Sequence, residues 1–197
     1  REVVLRAVQK NGVALQFADV ELRADKEVVM TAVSQCGHAL QHAAEAKKLD
    51  KDVVVAAVHR GSEASMYLPP PCTKDKEIML ALIGLSGRHL QLADPTLRAD
   101  PEVAMAAVRR DVFSLQAAAE ELRCNEDFMI QAICEEPMAF LFATENLQQD
   151  KDFVVRAVKQ NMRVLRYVGK LQQDAAVMSA ATNTSGKAMH LAWEDEE

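Results

Sequence analysis

Few residues of this chain have the means to do chemistry. His38 and His42 lie four residues apart, a spacing at which two imidazoles on one helical turn can share a metal ion, and Cys36 stands close by. At intervals of 25 residues, however, the position of His38 is filled by Val13, Glu63, Arg88, Phe113, Met138 and Arg163. That of His42 is filled by Phe17, Tyr67, Leu92, Phe142 and Tyr167, so the pair reads as a coincidence of two variable positions rather than a metal site. Cys36, Cys72, Cys124 and Cys134 share no spacing and form no C-x-x-C pair, which argues against both a zinc site and a disulfide framework. Isolated thiols of this kind favour a reducing compartment, the cytoplasm or an organelle stroma or matrix. No nucleophile elbow, P-loop, dinucleotide fingerprint, H-E-x-x-H or EF-hand loop is present. The expectation is a protein that is not an enzyme, with no catalytic, cofactor-binding or metal-ligating residue.

Two series are better candidates for contact with a partner. Gln16, Gln41, Gln91 and Gln116 recur at one position that an ideal helix turns away from the apolar face of Leu15 and Ala18. They make either a ladder of amides between neighbouring units or a polar strip for a partner's backbone. One residue later, Phe17, Tyr67, Phe142 and Tyr167 line up on the flank of the same element, as packing between units or as anchors for a partner. Met66 and Tyr67 run into Pro69, Pro70 and Pro71, a stiff apolar connection that is a place for a contact or a bend. Trp193, in an acidic tail, completes the set.

What must position these residues is a repeat. Asp25-Lys26-Glu27-Val28-Val29 returns in steps of 25 residues at Asp50, Asp75, Asp100, Asn125 and Asp150, and one residue early at Asp174. Arg1 opens inside a further copy, so units 1–24, 25–49, 50–74, 75–99, 100–124, 125–149, 150–173 and 174–197 account for all 197 residues as one helical-repeat domain. Composition agrees with an ordered α protein: 49% hydrophobic, 5% aromatic, with only 7 Gly and 6 Pro. A net charge of −6 and a pI near 5.4 speak against a nucleic-acid footprint. The longest apolar runs, such as Val53 to Val58, are far short of a membrane span, and no leader-like segment is seen.

Each unit should begin with an α-helix. The recurring Asp is a helix N-cap, Glu or Asp follows two positions later in seven of eight units, and Pro101 sits at a first-turn position that tolerates it. Apolar residues then fall three, four, seven and eight positions past the cap, as in Val28, Val29, Ala32 and Val33. The recurrent Ala seven past the cap (Ala7, Ala32, Ala57, Ala107, Ala132, Ala157) predicts close approach of a neighbour. Gly12, Gly37, Gly87 and Gly186, twelve past the cap, mark where this helix should stop. Runs such as Val53-Val54-Val55 look strand-like, but caps, Ala and Gly together outweigh them. The second element, around the Leu-Gln-x-Ala core, is a short α-helix or a 3₁₀ segment. The fold class expected is all-α: an α-solenoid, right-handed or similar, of about eight helix–turn–helix repeats.

Segments such as Leu22 to Val29 followed by Gly37 to Ala43 resemble the repeats of domain of unknown function 4116, over essentially the whole chain. The resemblance implies a tandem helical array and no activity, cofactor or catalytic residue. Leucine-rich variant repeats, which alternate α and 3₁₀ helices, are a more distant likeness. The third unit departs from the pattern at Met66 to Pro71. The functional expectation is a non-catalytic protein-interaction scaffold, a peripheral soluble subunit of a larger complex, for which peripheral attachment to a membrane complex is open. A chain that opens inside a helix without its cap looks like the ordered part of something longer. The alternatives are an RNA-binding helical repeat, which needs a basic face where only Arg88, Arg163 and Arg166 are found, and a small-molecule or pigment-associated subunit, which needs an internal pocket.

Overall fold

In the computed structural model, residues 1–184 are described, and among them there are helices and no strands. Expectations that fall on Gly186, on Met189 to Ala192 and on Trp193 with its acidic tail lie outside the described residues. The chain divides into two compact bodies, Arg1–Leu97 and a second that begins at Arg98.

The first body holds four long helices, Glu2–Lys10, Lys26–Gln35, Lys51–Arg60 and Lys76–Leu85, each packed on the next. Each is followed by a 3₁₀ helix: Gly12–Phe17, Gly37–His42, Ser62–Tyr67 and Gly87–Leu92. In the second body the long helices are Pro101–Val108, Glu126–Glu135, Lys151–Gln160 and Ala175–Thr184, with 3₁₀ helices Val112–Gln116, Pro137–Phe142 and Met162–Arg166. The second element is therefore 3₁₀. A third element, absent from the sequence reading, closes most units: a helix of one turn such as Val20–Arg23, Glu45–Lys48 or Glu120–Arg123.

The caps form as the sequence predicts. The Asp75 carboxylate accepts from the backbone N–H of Glu77 at 2.9 Å and of Ile78 at 3.2 Å. Asp25, Asp50, Asp100, Asn125, Asp150 and Asp174 cap their own helices in the same way. Each bond satisfies a first-turn donor that has no partner inside the helix.

Packing between units explains the small residues. Val28 and Ala32, with the preceding unit against them, are fully buried, whereas Val3 at the equivalent place in the first unit is 81% exposed. Burying one such valine contributes about 1.5–3 kcal/mol. Gly12 lies against this face: a Cβ there would stand 2.3 Å from the carbonyl oxygen of Ala32. At Gly37 the distance to the carbonyl oxygen of Ala57 would be 2.4 Å. The glycines are thus required by a close approach between units and not by a left-handed turn, since the only glycine with positive φ is Gly169 among the described residues. The helix ends one residue earlier, at Asn11 and Cys36 in extended backbone.

A backbone bond ties successive units at fixed register. The N–H of Ala44 donates to the carbonyl of Arg23 at 2.9 Å, that of Ala119 to Arg98 at 3.0 Å, and that of Thr144 to Arg123 at 3.1 Å. In the third unit the donor position is Pro69, which has no N–H. There the Cys72 thiol, buried, donates to the carbonyl of Lys48 at 3.6 Å, and a 3₁₀ helix, Pro70–Lys74, replaces the one-turn α-helix. The seventh unit, shorter by one residue, makes the same replacement with Gly169–Gln173, and Gly169 turns at φ 55.

Gly12→Ala or Gly37→Ala should destabilise the first body by about 1–3 kcal/mol, because the added methyl meets backbone rather than a movable side chain. Gly61→Ala, where the backbone is extended and no heavy atom lies within 4 Å, should be neutral or stabilising by up to about 1 kcal/mol. Urea unfolding of the three variants beside the parent chain checks both signs.

Candidate functional site

Two edges of the repeat carry the exposed chemistry. One is the row of helix starts. In the first body a cation just after each cap reaches the cap of the next unit. Arg1 pairs with Asp25 at 2.9 Å and with Glu27. Lys26 pairs with Asp50 at 3.1 Å and Asp52 at 2.6 Å, and Lys51 with Asp75 at 3.4 Å and Glu77 at 2.7 Å. In the second body Lys151 pairs with Asp174 at 2.9 Å. In the sixth unit an acid, Glu126, takes the cation's place, and Arg156 of the following unit binds it at 2.6 Å together with Asp127 at 2.8 Å. The signal was in the sequence, as Lys after the capping Asp, and was missed because its partners lie a whole unit away.

These pairs set the titration of the caps. The hydrogen bond from Arg1, joined by the N–H of Val28, holds the Asp25 carboxyl down to about 2. The hydrogen bond from Lys151 lowers Asp174. At Asp50 and Asp75 partial burial pushes upward, but the neighbouring lysine and the helix N–H groups together outweigh it and both carboxyls are lowered. The matching cations Arg1, Lys26 and Lys51 are raised, chiefly by hydrogen bonds to the carboxylates.

The other edge is formed by the 3₁₀ helices, of which Gly12–Phe17, Gly37–His42 and Ser62–Tyr67 pack side by side in the first body and Val112–Gln116, Pro137–Phe142 and Met162–Arg166 in the second. Here the residue thirteen past one cap meets the residue seventeen past the next cap, edge to face. His38 stands against Tyr67 with ring centres 5.1 Å apart, and Phe113 against Phe142 at 5.8 Å. Such pairs contribute about 0.5–1.5 kcal/mol beyond their buried area. Tyr67 and Phe142 of the aromatic series therefore each meet the residue thirteen past the cap of the preceding unit, a pairing that the sequence reading did not draw.

The predicted contact residues fall on this edge unevenly. Phe17 and Met66 are 84% and 78% exposed, while Tyr67, Phe142 and Tyr167 are half-buried. Gln16, Gln91 and Gln116 are exposed. Gln41 is half-buried and bonds within its own 3₁₀ helix, its amide nitrogen 2.6 Å from Nε2 of His38 and 2.9 Å from Nε2 of His42. Nδ1 of His38 bonds the Tyr67 hydroxyl at 3.0 Å. Burial, with the charges of His38, Arg23 and Lys48, lowers the pKa of His42. The sequence reading also passed over Arg23, Arg98 and Arg123, which recur at the end of the one-turn helices, each with a buried Nε that lacks a hydrogen-bond partner. No group of three or more His, Cys, Asp or Glu suited to a metal occurs among the described residues. All four cysteines are free. No described helix is long and apolar enough to cross a membrane.

The profile of one protein family, described as Domain of unknown function (DUF4116), matches residues 1–46, 75–123 and 125–172. The chain belongs to this family. The DUF4116 matches cover most of both bodies and leave out 47–74, which contains the irregular third unit with Pro69 and Cys72. No curated protein and no solved structure matches the chain.

The lowered caps set an acid limit for this DUF4116 array. A carboxyl whose pKa is lower folded than unfolded contributes stability that is complete above the unfolded value, near 4, and is lost as pH falls through the folded one. The melting temperature should thus fall steeply from about pH 4 towards pH 2, the Asp25 carboxyl protonating at about 2. Asp75→Ala should cost about 1 kcal/mol at neutral pH through the lost cap and flatten the acid limb. Thermal unfolding followed by circular dichroism from pH 2 to 7 reads both effects.

Proposed function

We propose that this chain is a non-catalytic scaffold that binds other proteins through its 3₁₀ edges, as a peripheral subunit of a larger assembly. The observation that carries this reading is the large apolar side chains left in water on those edges in both bodies. They are Phe17, Met66 and Leu92 in the first, at 84%, 78% and 40% exposure, and Phe113 and Leu141 in the second, at 49% and 47%. Apolar area of this kind is recovered when a partner covers it. The rings of Tyr67 and Phe142 are already held by the neighbouring unit, so little side-chain freedom is lost when they serve as anchors. Gln16, Gln91 and Gln116, exposed on their own 3₁₀ helices, offer amide donors and acceptors suited to a partner's backbone. The fixed positions of the repeat are occupied by capping and packing, which leaves the variable positions of the 3₁₀ helices to set specificity.

Phe17→Ser combined with Leu141→Ser changes two exposed residues and should leave unfolding within about 0.5 kcal/mol of the parent. Purified from its native source, the tagged parent chain should bring down a companion in fixed stoichiometry, and the double variant should lose it. A chain that runs as a monomer with no stable companion, or a companion retained equally by the variant, would sink the proposal.

A further inference from the structure

The cluster on the second 3₁₀ helix has a property that packing does not require. Nε2 of His38 and Nε2 of His42 converge on one atom, 2.6 and 2.9 Å from the nitrogen of the Gln41 amide; with the amide in that orientation, the nitrogen donates and both ring nitrogens accept. In that arrangement both imidazoles carry their proton on Nδ1 and direct their Nε2 lone pairs at the same nitrogen. Nδ1 of His38 is hydrogen-bonded to the Tyr67 hydroxyl at 3.0 Å, which holds the plane of that ring and, in this tautomer, receives its Nδ1–H. A metal-bound histidine is oriented in this way, its outer nitrogen held by an oxygen of a second residue. Zinc–imidazole bonds are about 2.0–2.1 Å, so each ring has to advance by less than about 1 Å for a cation to replace the amide nitrogen.

We propose that His38 and His42 bind a divalent cation of the imidazole-preferring class, zinc foremost, at the point now filled by the Gln41 amide nitrogen. Gln41 turns its carbonyl oxygen to the cation or yields to water, and Tyr67, contributed by the next unit, acts as a positioning residue. Binding then joins the second and third units of the first body, beside the irregular segment where Pro69 removes the regular backbone bond. Arg23 and Lys48 oppose a cation here, and their charges already act on His42. Lys48 is partly offset by Glu45 at 2.7 Å. Removal of the Arg23 charge should accordingly strengthen binding.

The test is zinc titration of the full chain by calorimetry, with Cys124→Ser and Cys134→Ser introduced because both thiols are exposed and a thiolate is itself a zinc ligand. The expected result is one saturable site, with the melting temperature raised as zinc is added. His42→Ala should abolish the site while the helical circular dichroism is kept. Tyr67→Phe should weaken it about 10-fold with the stoichiometry unchanged, and Arg23→Gln should tighten it. Cobalt as the spectroscopic stand-in should show nitrogen and oxygen ligation without a thiolate charge-transfer band. Zinc binding that is absent, that survives equally in the chain with both His38→Ala and His42→Ala, or that shows a thiolate band would overturn the proposal.

Discussion

The carboxylate that caps six of the long helices, replaced by the Asn125 amide at a seventh, is the interaction on which the rest depends. It answers two demands at once. Its oxygens take up first-turn N–H groups that the helix itself leaves without partners, and in four of the units they also receive the cation that follows the previous cap. A helix of ten residues is marginal alone, so the cap helps it exist and the ion pair fixes where its neighbour begins. The pairs lie at the surface and each contributes little energy. Their value is register, because a slip by one residue would break the bonds along the whole row.

Close packing does the remaining work. Ala seven past the cap and Gly twelve past the preceding cap let two backbones approach to a distance that no Cβ permits, as at Gly12 with Ala32 and Gly37 with Ala57. Where the chain departs from this scheme, the structure replaces the missing partner with a local one. Pro69 cannot donate, and the Cys72 thiol does so a little further along. The seventh unit lacks a residue, and Gly169 makes the shorter path by turning with positive φ. Both departures exchange a one-turn α-helix for a 3₁₀ helix, whose rise per residue is larger.

A repeat built on such constraints divides its residues into two kinds. Those at the cap, at the buried valines and at the Leu of the 3₁₀ helix are used up by stacking: Leu15, Leu40, Leu90 and Leu115 have no exposed surface. Those thirteen and seventeen past the cap differ from unit to unit, and with the position sixteen past it, where Gln recurs, they supply the open edge, as with Phe113, Phe17, Gln16 and Leu141. The scaffold reading and the two-histidine cluster both draw on this second kind, where chemistry can vary without cost to the fold.

The amino-acid order by itself determined the period, as one motif written again every 25 residues, and with it the caps, the long helices and the buried stripe, which are local rules between residues no more than eight apart. It also reached the 3₁₀ alternative and the family, through the repeated Leu-Gln-x-Ala core and the cap motif. The one-turn third helix escaped it, since four residues are too few to show a helical period. Only the tertiary structure decided which position of one unit meets which position of the next: Lys26 with Asp50, His38 with Tyr67, Phe113 with Phe142, Gly12 with Ala32. These partners lie 20 to 29 residues apart in the chain. They are brought together by the angle and offset at which one unit stacks on another, a quantity set by the sum of many side-chain contacts and carried by no single motif.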